Sequence, residues 1–313
     1  MINGIQSFLC ALALGWTAAP AATPLGADKL KVVATIPDLA DIVQEIGGDR
    51  VDVTTLTRGR ENLHFVVARP SHLVAMSRAD MFVQVGLSLE AAFVPGLLER
   101  ARNDDIWPGH PGFVNVSEGW EPIEVPTSLS RRAGDLHPHG NPHMNLDPRA
   151  GEFMANAIRD GLTRLDPGSA ELYEKRHQAY LQKLAQAKQR WDRLAASFRG
   201  KRVAVYHLEY NYFARYYEME IADAIEFRPG VPPTPNHLAR VIAGMKEKGV
   251  KVILIAPWSR NGDVERVAAA TGARIVEVPN QAGGMPGADT WIGMMTVIHE
   301  KLAAAFGAGG SDG

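Results

Sequence analysis

Short apolar runs alternate with helical patterns along most of this chain, and the alternation occurs twice. Strands that alternate with helices are typical of a parallel sheet covered by helices on both faces. The spacing also predicts helix starts, with Asp38 and Thr234 as N-caps. The predicted strands are 31–36, 51–56, 81–85 and 113–116 in the first half, and 202–206, 221–226, 250–255 and 274–278 in the second. We therefore expect an α/β fold with two similar lobes, each a parallel sheet flanked by helices.

A long helix separates the two halves. Its apolar residues follow a seven-residue repeat: Tyr173, His177, Tyr180, Leu184, Ala187, Trp191, Leu194 and Phe198. One strand of a coiled coil is one interpretation, but Ala and His are weak residues for the core positions of a coiled coil. The pattern favours a single backbone helix that joins the lobes and packs its apolar seam against both. The 313 residues then divide into an N-terminal lobe (28–166), a linking helix (167–199) and a C-terminal lobe (200–313).

The N-terminus has the composition of a signal peptide, predicted over residues 1–22. No charged side chain precedes Asp28, an apolar stretch runs from Phe8 to Ala19, and small residues follow it. The usual Lys or Arg before the apolar stretch is absent. Cys10 is the only cysteine and lies within this segment, where Ser7, Phe8 and Leu9 fit a lipid-attachment site poorly. We expect an exported, periplasmic protein whose mature chain contains no thiol and no disulfide.

The charge balance argues against binding of nucleic acid. Thirty-three Lys and Arg face thirty-five Asp and Glu, for a formal net charge of −2, and aromatic residues make up only 7%. A protein that neutralises phosphates needs a basic excess, and none is present.

Few residues of the sequence stand in patterns that are typical of catalytic or ligand-binding sites. It has no Gly-x-Ser-x-Gly, no phosphate-binding loop that ends in Gly-Lys-Ser/Thr, and no His-Glu-x-x-His. Three histidines and one carboxylate follow predicted strands or precede predicted helices, where α/β lobes bind ligands: His64, His143, His207 and Asp289. Any metal site in the mature chain must use histidine and carboxylate ligands. The remaining helical and Pro-Gly-loop histidines are expected to be structural or solvated: His72, His110, His177, His237 and His299.

Several segments resemble the solute-binding proteins of zinc and manganese ABC transporters. Asn141-Pro142-His143-Met144-Asn145-Leu146-Asp147-Pro148 is similar to the family's Asp-Pro-His-x-Trp-Leu-Asp-Pro signature. Arg58 to His64, Tyr206-His207 with Tyr212-Phe213, and Asp289 with Trp291 resemble its other ligand segments. The chain departs from the family at Leu63, where proline is usual, and at Asn145, where tryptophan is usual.

The resemblance implies that the protein captures a metal ion between its lobes and delivers it to an ABC transporter permease, without catalysis and as a monomer. Its ligands would be His64, His143, His207 and Asp289. Three imidazoles and one carboxylate suit tetrahedral Zn²⁺. Manganese-binding members tend to have Glu in place of the third histidine, and Mn²⁺ prefers oxygen ligands, so His207 favours Zn²⁺ over Mn²⁺. Asp147 is expected to shape the loop of His143 or to orient a ligand.

A polar loop from Pro126 to Pro142 contains two further histidines, His137 and His139, which flank Pro138 close to His143. The family often carries a His-rich loop at this point. We interpret the pair as a possible auxiliary metal loop that takes zinc first, or accepts it from a periplasmic zinc metallochaperone. A solvated loop that happens to contain histidine is the alternative.

Three other functions remain compatible with the sequence. A manganese-binding homologue and a metal-binding adhesin would share the fold. A secreted zinc hydrolase would need a metal-bound water and a general base, for which Glu61 and Glu209 are candidates. Four protein ligands on the metal favour transport, whereas three ligands and a water favour catalysis.

Overall fold

The computed structural model describes residues 29–126, 137–227 and 230–307. The predicted signal peptide and Cys10 lie outside this range. Within the described part of the chain, no helix is long and apolar enough to cross a membrane.

The first lobe is built on a four-stranded parallel sheet. Its strands are β1 (Leu30–Ala34), β2 (Val51–Thr55), β3 (Met81–Gln84) and β4 (Phe113–Asn115), in the order β2-β1-β3-β4. The helices are α1 (Pro37–Gly47), α2 (Pro70–Met76) and α3 (Val94–Ala101). The register pairs Val33 of β1 with Thr54 of β2 and Phe82 of β3. All carboxyl ends of the strands therefore lie at one edge.

The second lobe repeats this topology. Its strands are β5 (Arg202–Val205), β6 (Glu220–Ala224), β7 (Val252–Ile255) and β8 (Arg274–Glu277), in the order β6-β5-β7-β8 and all parallel. The helices of this half are α6 (Asn211–Tyr216), α7 (Pro235–Glu247), α8 (Gly262–Thr271) and α9 (Trp291–Gly307). The two matching sheets confirm the expected fold class.

The helix α4 (Ala150–Leu165) precedes the long helix α5 (Ala170–Ala195). With 26 residues, α5 spans about 39 Å at 1.5 Å per residue. It packs against α1, α4 and α9. Most of the predicted seam is buried, and one apolar core runs through residues of both lobes. α5 is therefore a backbone helix rather than a free coiled-coil strand. The proposed boundaries at residues 166/167 and 199/200 stay predictions.

The starts of α1 and α7 differ in whether the predicted side chain caps the helix. Thr234 accepts a hydrogen bond from the backbone N–H of His237 at 3.2 Å and caps α7 as expected. Asp38 does not cap α1, which begins at Pro37 after Ile36. Its side chain is buried and instead accepts hydrogen bonds from Asn145 and from the backbone N–H of Ala282. Asp38, which was expected to cap α1, therefore links α1 to two distant segments of the chain.

Residues of α5, α6 and α9 meet around the buried ring of His299. The ring stacks on Trp191, with ring centroids 5.1 Å apart and planes 11° from parallel. Nδ1–H donates to the Met295 carbonyl at 2.5 Å, which leaves Nε2 to accept from the hydroxyl of Tyr217 at 2.7 Å. Both hydrogen bonds use the neutral imidazole, so His299 is structural, as expected.

We predict that His299 makes the free energy of unfolding depend on pH. Burial lowers the pKa of His299 from its ordinary value of 6.5 to about 4. Between these values the unfolded chain binds a proton that the folded chain excludes, so acid destabilises the fold by up to about 3 kcal/mol. In His299→Gln this contribution should be absent. Urea unfolding of the metal-free protein at pH 7.5 and pH 4.5 measures it, with His110→Gln as the exposed control. An identical loss of stability on acidification in the His299→Gln variant and in the wild type would contradict the assignment.

Candidate metal centre

Three histidines from separate segments converge at the edge where the strands end. The Nε2 atom of His64 lies 3.3 Å from that of His143 and 3.2 Å from that of His207, and the last two are also 3.2 Å apart. Among the described residues, these are the one group of three or more His, Cys, Asp or Glu side chains placed to hold a metal ion. Three of the four predicted ligands are thus brought together.

The triangle of nitrogen atoms has the size that tetrahedral zinc requires. Zinc–imidazole bonds of 2.0–2.1 Å at tetrahedral angles place neighbouring nitrogens about 3.3 Å apart. The observed separations of 3.2–3.3 Å match this value without rearrangement. A single ion above the triangle could therefore bind all three imidazoles at once.

A local turn and a contact between the lobes hold His64. It lies in a 3₁₀ turn, Leu63–Phe65, and the side chain of Asn62 accepts its backbone N–H at 3.0 Å. Nearby, Gln281 donates to the carbonyl of Glu61 at 2.8 Å. A Cβ at Gly59 would lie 2.2 Å from the carbonyl oxygen of Ala282, so only glycine permits this approach of the two loops.

His143 is fixed by Asn141, whose side chain makes contacts in two directions. Its Oδ1 accepts the backbone N–H of His143 at 3.0 Å, and its Nδ2 donates to the carbonyl of Leu208 at 2.9 Å. The backbone carbonyl of Asn141 accepts the hydroxyl of Tyr212 at 2.8 Å. Asn141 therefore couples the loop of His143 to that of His207.

His207 lies two residues after the end of β5, and a carboxylate contacts its outer ring nitrogen. Its Nδ1–H donates to Oε2 of Glu226 at 2.6 Å, and both side chains are nearly buried. Because Nδ1 carries the proton, Nε2 presents its lone pair to the other two histidines. A carboxylate on the outer nitrogen fixes the orientation and the tautomer of a ligating ring.

Burial keeps two of the imidazoles neutral. Burial, with smaller effects of the nearby His207 and His137, lowers the pKa of His64 to about 3. Burial likewise holds the pKa of His143 well below its ordinary value, with smaller effects of His207 and His64. These two nitrogens are therefore available to a metal at neutral pH without loss of a proton.

A buried polar network lies beside the three histidines. Glu209 follows His207 by two residues, and its Oε2 accepts from Nδ2 of Asn280 at 2.8 Å. The carbonyl of Asn280 accepts from Asn145 at 3.1 Å, and Asn145 also donates to Asp38 at 3.2 Å. Burial raises the pKa of Glu209 to about 7, while His207 lowers it. Burial raises the pKa of Asp38 to about 7.

The structure does not bring Asp289 to the three histidines. Asp289 is exposed between a tight turn and the start of α9, and it is outside the group of possible ligands. The turn closes through hydrogen bonds from Gly283 to the Ala288 carbonyl and from Ala288 to the Met285 carbonyl. The carboxylate of Asp147 accepts the backbone N–H of Arg149 at 2.8 Å at the start of α4, and its expected effect on the loop of His143 stays a prediction.

The two histidines of the polar loop differ in position. The ring of His137 lies 5.1 Å from that of His64, whereas His139 is exposed. Residues 127–136, which include Asp135, lie outside the described range. The loop therefore places one of its two histidines beside the triad.

Three residues of the site were not predicted as parts of it: Glu226, Glu209 and Asn280. A sequence signal exists for Glu226, because it ends the predicted strand 221–226, next to β5, where the carboxyl ends of parallel strands meet. Glu209 was considered only as a base for hydrolysis. Asn280 gives no signal, since amides in loops are common.

Comparisons with known proteins show similarity along most of the chain. Residues 32–305 match the family described as zinc-uptake complex component A, periplasmic. The chain is 28% identical over 292 residues to the manganese-binding lipoprotein MntA of Halalkalibacterium halodurans, covering 91% of each chain. It is 25% identical over 303 residues to the high-affinity zinc uptake system protein ZnuA of Bacillus subtilis, covering 95% of this chain and 93% of that protein.

A solved structure is similar over nearly its full length. A zinc-bound deletion mutant of ZnuA superposes with a TM-score of 0.75 at 26% identity, over 89% of this chain and 98% of that one. The match thus includes both lobes and the connecting helices. The chain belongs to the zinc-uptake complex component A family.

Proposed function

We propose that the protein is the substrate-binding component of an ABC transporter that captures Zn²⁺ and delivers it to the membrane permease. The observation that carries this proposal is the triangle of three Nε2 atoms at 3.2–3.3 Å. His64, His143 and His207 are its proposed ligands. Zinc is the cargo of this site and not a catalytic cofactor.

The choice of zinc rests on the donor atoms. Named relatives bind manganese in one case and take up zinc in another, so family membership alone leaves the ion open. Imidazole nitrogen suits Zn²⁺, whereas Mn²⁺ prefers carboxylate and water oxygen, and its affinity for such sites is generally lower. Three nitrogen donors therefore favour zinc over manganese.

Contacts of the acidic residues favour capture over hydrolysis. A hydrolase needs a base that is free to take a proton from a metal-bound water. Glu61 is held by Arg69 at 2.6 Å and by the backbone N–H of Arg58 at 2.9 Å. Glu209 is buried and accepts from Asn280. Both carboxylates are therefore hydrogen-bonded to protein donors, Glu61 through both of its oxygens and Glu209 through Oε2.

The proposal also includes the location of the protein and its partners. Export to the periplasm by residues 1–22 and delivery to a permease would place the site where an ABC transporter takes up its cargo. The function of His137 and His139 as an auxiliary loop, a zinc metallochaperone as donor, and the monomeric state stay predictions.

A metal competition titration tests the function. The purified metal-free protein should bind one Zn²⁺ per chain, and a large excess of Mn²⁺ should not displace it, because of the nitrogen donors. The measurement is zinc retained after dialysis against both ions with a chelator of known affinity. Preferential retention of Mn²⁺, or no retained metal at all, would contradict the proposal.

A further inference from the structure

Within the buried polar network, Oε1 of Glu209 and Oδ1 of Asn280 lack a hydrogen-bond partner among the described residues, as does Oδ1 of Asn145. The side chains of Glu209 and Asn280 are almost fully buried, with 1% and 5% exposed, respectively. A buried polar atom without a partner is costly, so native structures rarely keep one without a purpose. The unpartnered oxygen atoms therefore suggest that a ligand binds at this position.

The chain places Glu209 at the histidines. A tight turn, in which the backbone N–H of Glu209 donates to the carbonyl of His207 at 2.9 Å, joins the two residues. Asn280 engages Oε2 at 2.8 Å and leaves Oε1 as the unpartnered oxygen.

Asn280 is itself fixed between the ligand loops. Its carbonyl accepts from Asn145, which follows His143 by two residues, and Asn145 also binds Asp38 of α1. The hydrogen bond from Asn280 to Glu209 therefore joins the segment after His143 to the segment after His207. This hydrogen bond engages Oε2 before any ion arrives and leaves Oε1 without a partner among the described residues.

We propose that Glu209 supplies the fourth, anionic ligand of the metal through Oε1, and that Asn280 is its positioning residue. This inference rests on the proposed function and deepens it. The carboxylate is outside the set of ligand atoms that all lie within 4.8 Å of one another, so its side chain rotates toward the nitrogens when it binds. The shell is then three imidazoles and one carboxylate, with Glu226 outside it on Nδ1 of His207.

The zinc-loaded wild-type protein provides the direct test. Its crystal structure should show Oε1 of Glu209 at about 2.0–2.2 Å from the ion, with three Nε2 atoms as the other protein ligands. A water molecule, Asp289 or Asn280 in the fourth position would overturn the proposal and leave the proposed function in place. A wild-type protein that binds no metal would overturn both.

Affinity measurements separate a ligand from a merely structural residue. Glu209→Gln keeps the shape and the bond to Asn280 but removes the charge, and should weaken zinc binding by more than about 100-fold, beyond the usual cost of losing an outer partner. Glu209→His supplies a new donor atom and should recover most of the lost zinc affinity. A carboxylate with a purely structural function would not predict this recovery. Asp289→Asn is the matched control and should bind zinc as the wild type does. A Glu209→Gln variant that binds zinc as tightly as the wild type would refute the assignment of Glu209 as a ligand. If a variant fails to fold, the crystal structure of the zinc-loaded wild-type protein decides whether Glu209 is a ligand.

Discussion

Replacing His143 with alanine should lower zinc affinity by roughly 100- to 1,000-fold. His143 is buried, and its Nε2 lies 3.3 Å from that of His64 and 3.2 Å from that of His207. Structural zinc sites with four ligands bind with about 10–16 kcal/mol in all, hence about 2.5–4 kcal/mol per ligand. A factor of 10 in affinity corresponds to 1.4 kcal/mol. Competition with a chelator of known affinity, at constant pH and salt, measures the loss.

The control for this experiment is His110→Ala. His110 is exposed in the loop before β4, so its removal changes the histidine count but not the site. Metal-free His143→Ala should unfold at nearly the same urea concentration as the wild type, since the ring contributes a ligand rather than core packing. Equal zinc affinity in the two variants would mean that the metal binds elsewhere.

Replacing Trp191 with alanine should lower the free energy of unfolding by about 3–5 kcal/mol. The ring is fully buried in α5 and packs edge-on against Trp291, with centroids 6.0 Å apart. It also stacks on His299, and its Nε1–H donates to Thr296 at 2.9 Å. Alanine would leave a cavity at the junction of α5 and α9. Equilibrium urea unfolding of the metal-free protein measures the change.

Leu172→Ala is the matched control on the same helix. Leu172 is 41% exposed and lies outside the buried seam, so its truncation should change stability by no more than about 0.5 kcal/mol. A similar loss at both positions would show that helix propensity, rather than the packed seam, dominates the stability of α5.

The fold was predictable because it rests on local periodicity. Each predicted strand overlaps an observed one, since parallel strands buried on both faces read as short continuous apolar runs. The long helix was predictable because its buried residues recur at a regular spacing. The departures occur at the ends, as at Asp38, where proline sets the helix start and the carboxylate serves a distant contact.

The candidate site was predictable only in part. His64, His143 and His207 each follow a strand or precede a helix, and a resemblance to known segments distinguished them from the other histidines. Asp289 was chosen on the same resemblance, but a tight turn leaves it in solvent. Asn145 was noted as a departure from the usual tryptophan, and in the structure it donates to Asp38 and to the carbonyl of Asn280.

By itself, the sequence determined two parallel sheets, a long helix between them and three histidines at loop positions, because periodicity and element order are properties of neighbouring residues. Tertiary structure alone decided which oxygen atoms lie beside those histidines. Glu209, Glu226 and Asn280 reach the site through a turn, a neighbouring strand and a loop that is joined to two other segments by hydrogen bonds. Such placement depends on how distant segments pack and on which buried polar atoms find partners, and no local pattern records either.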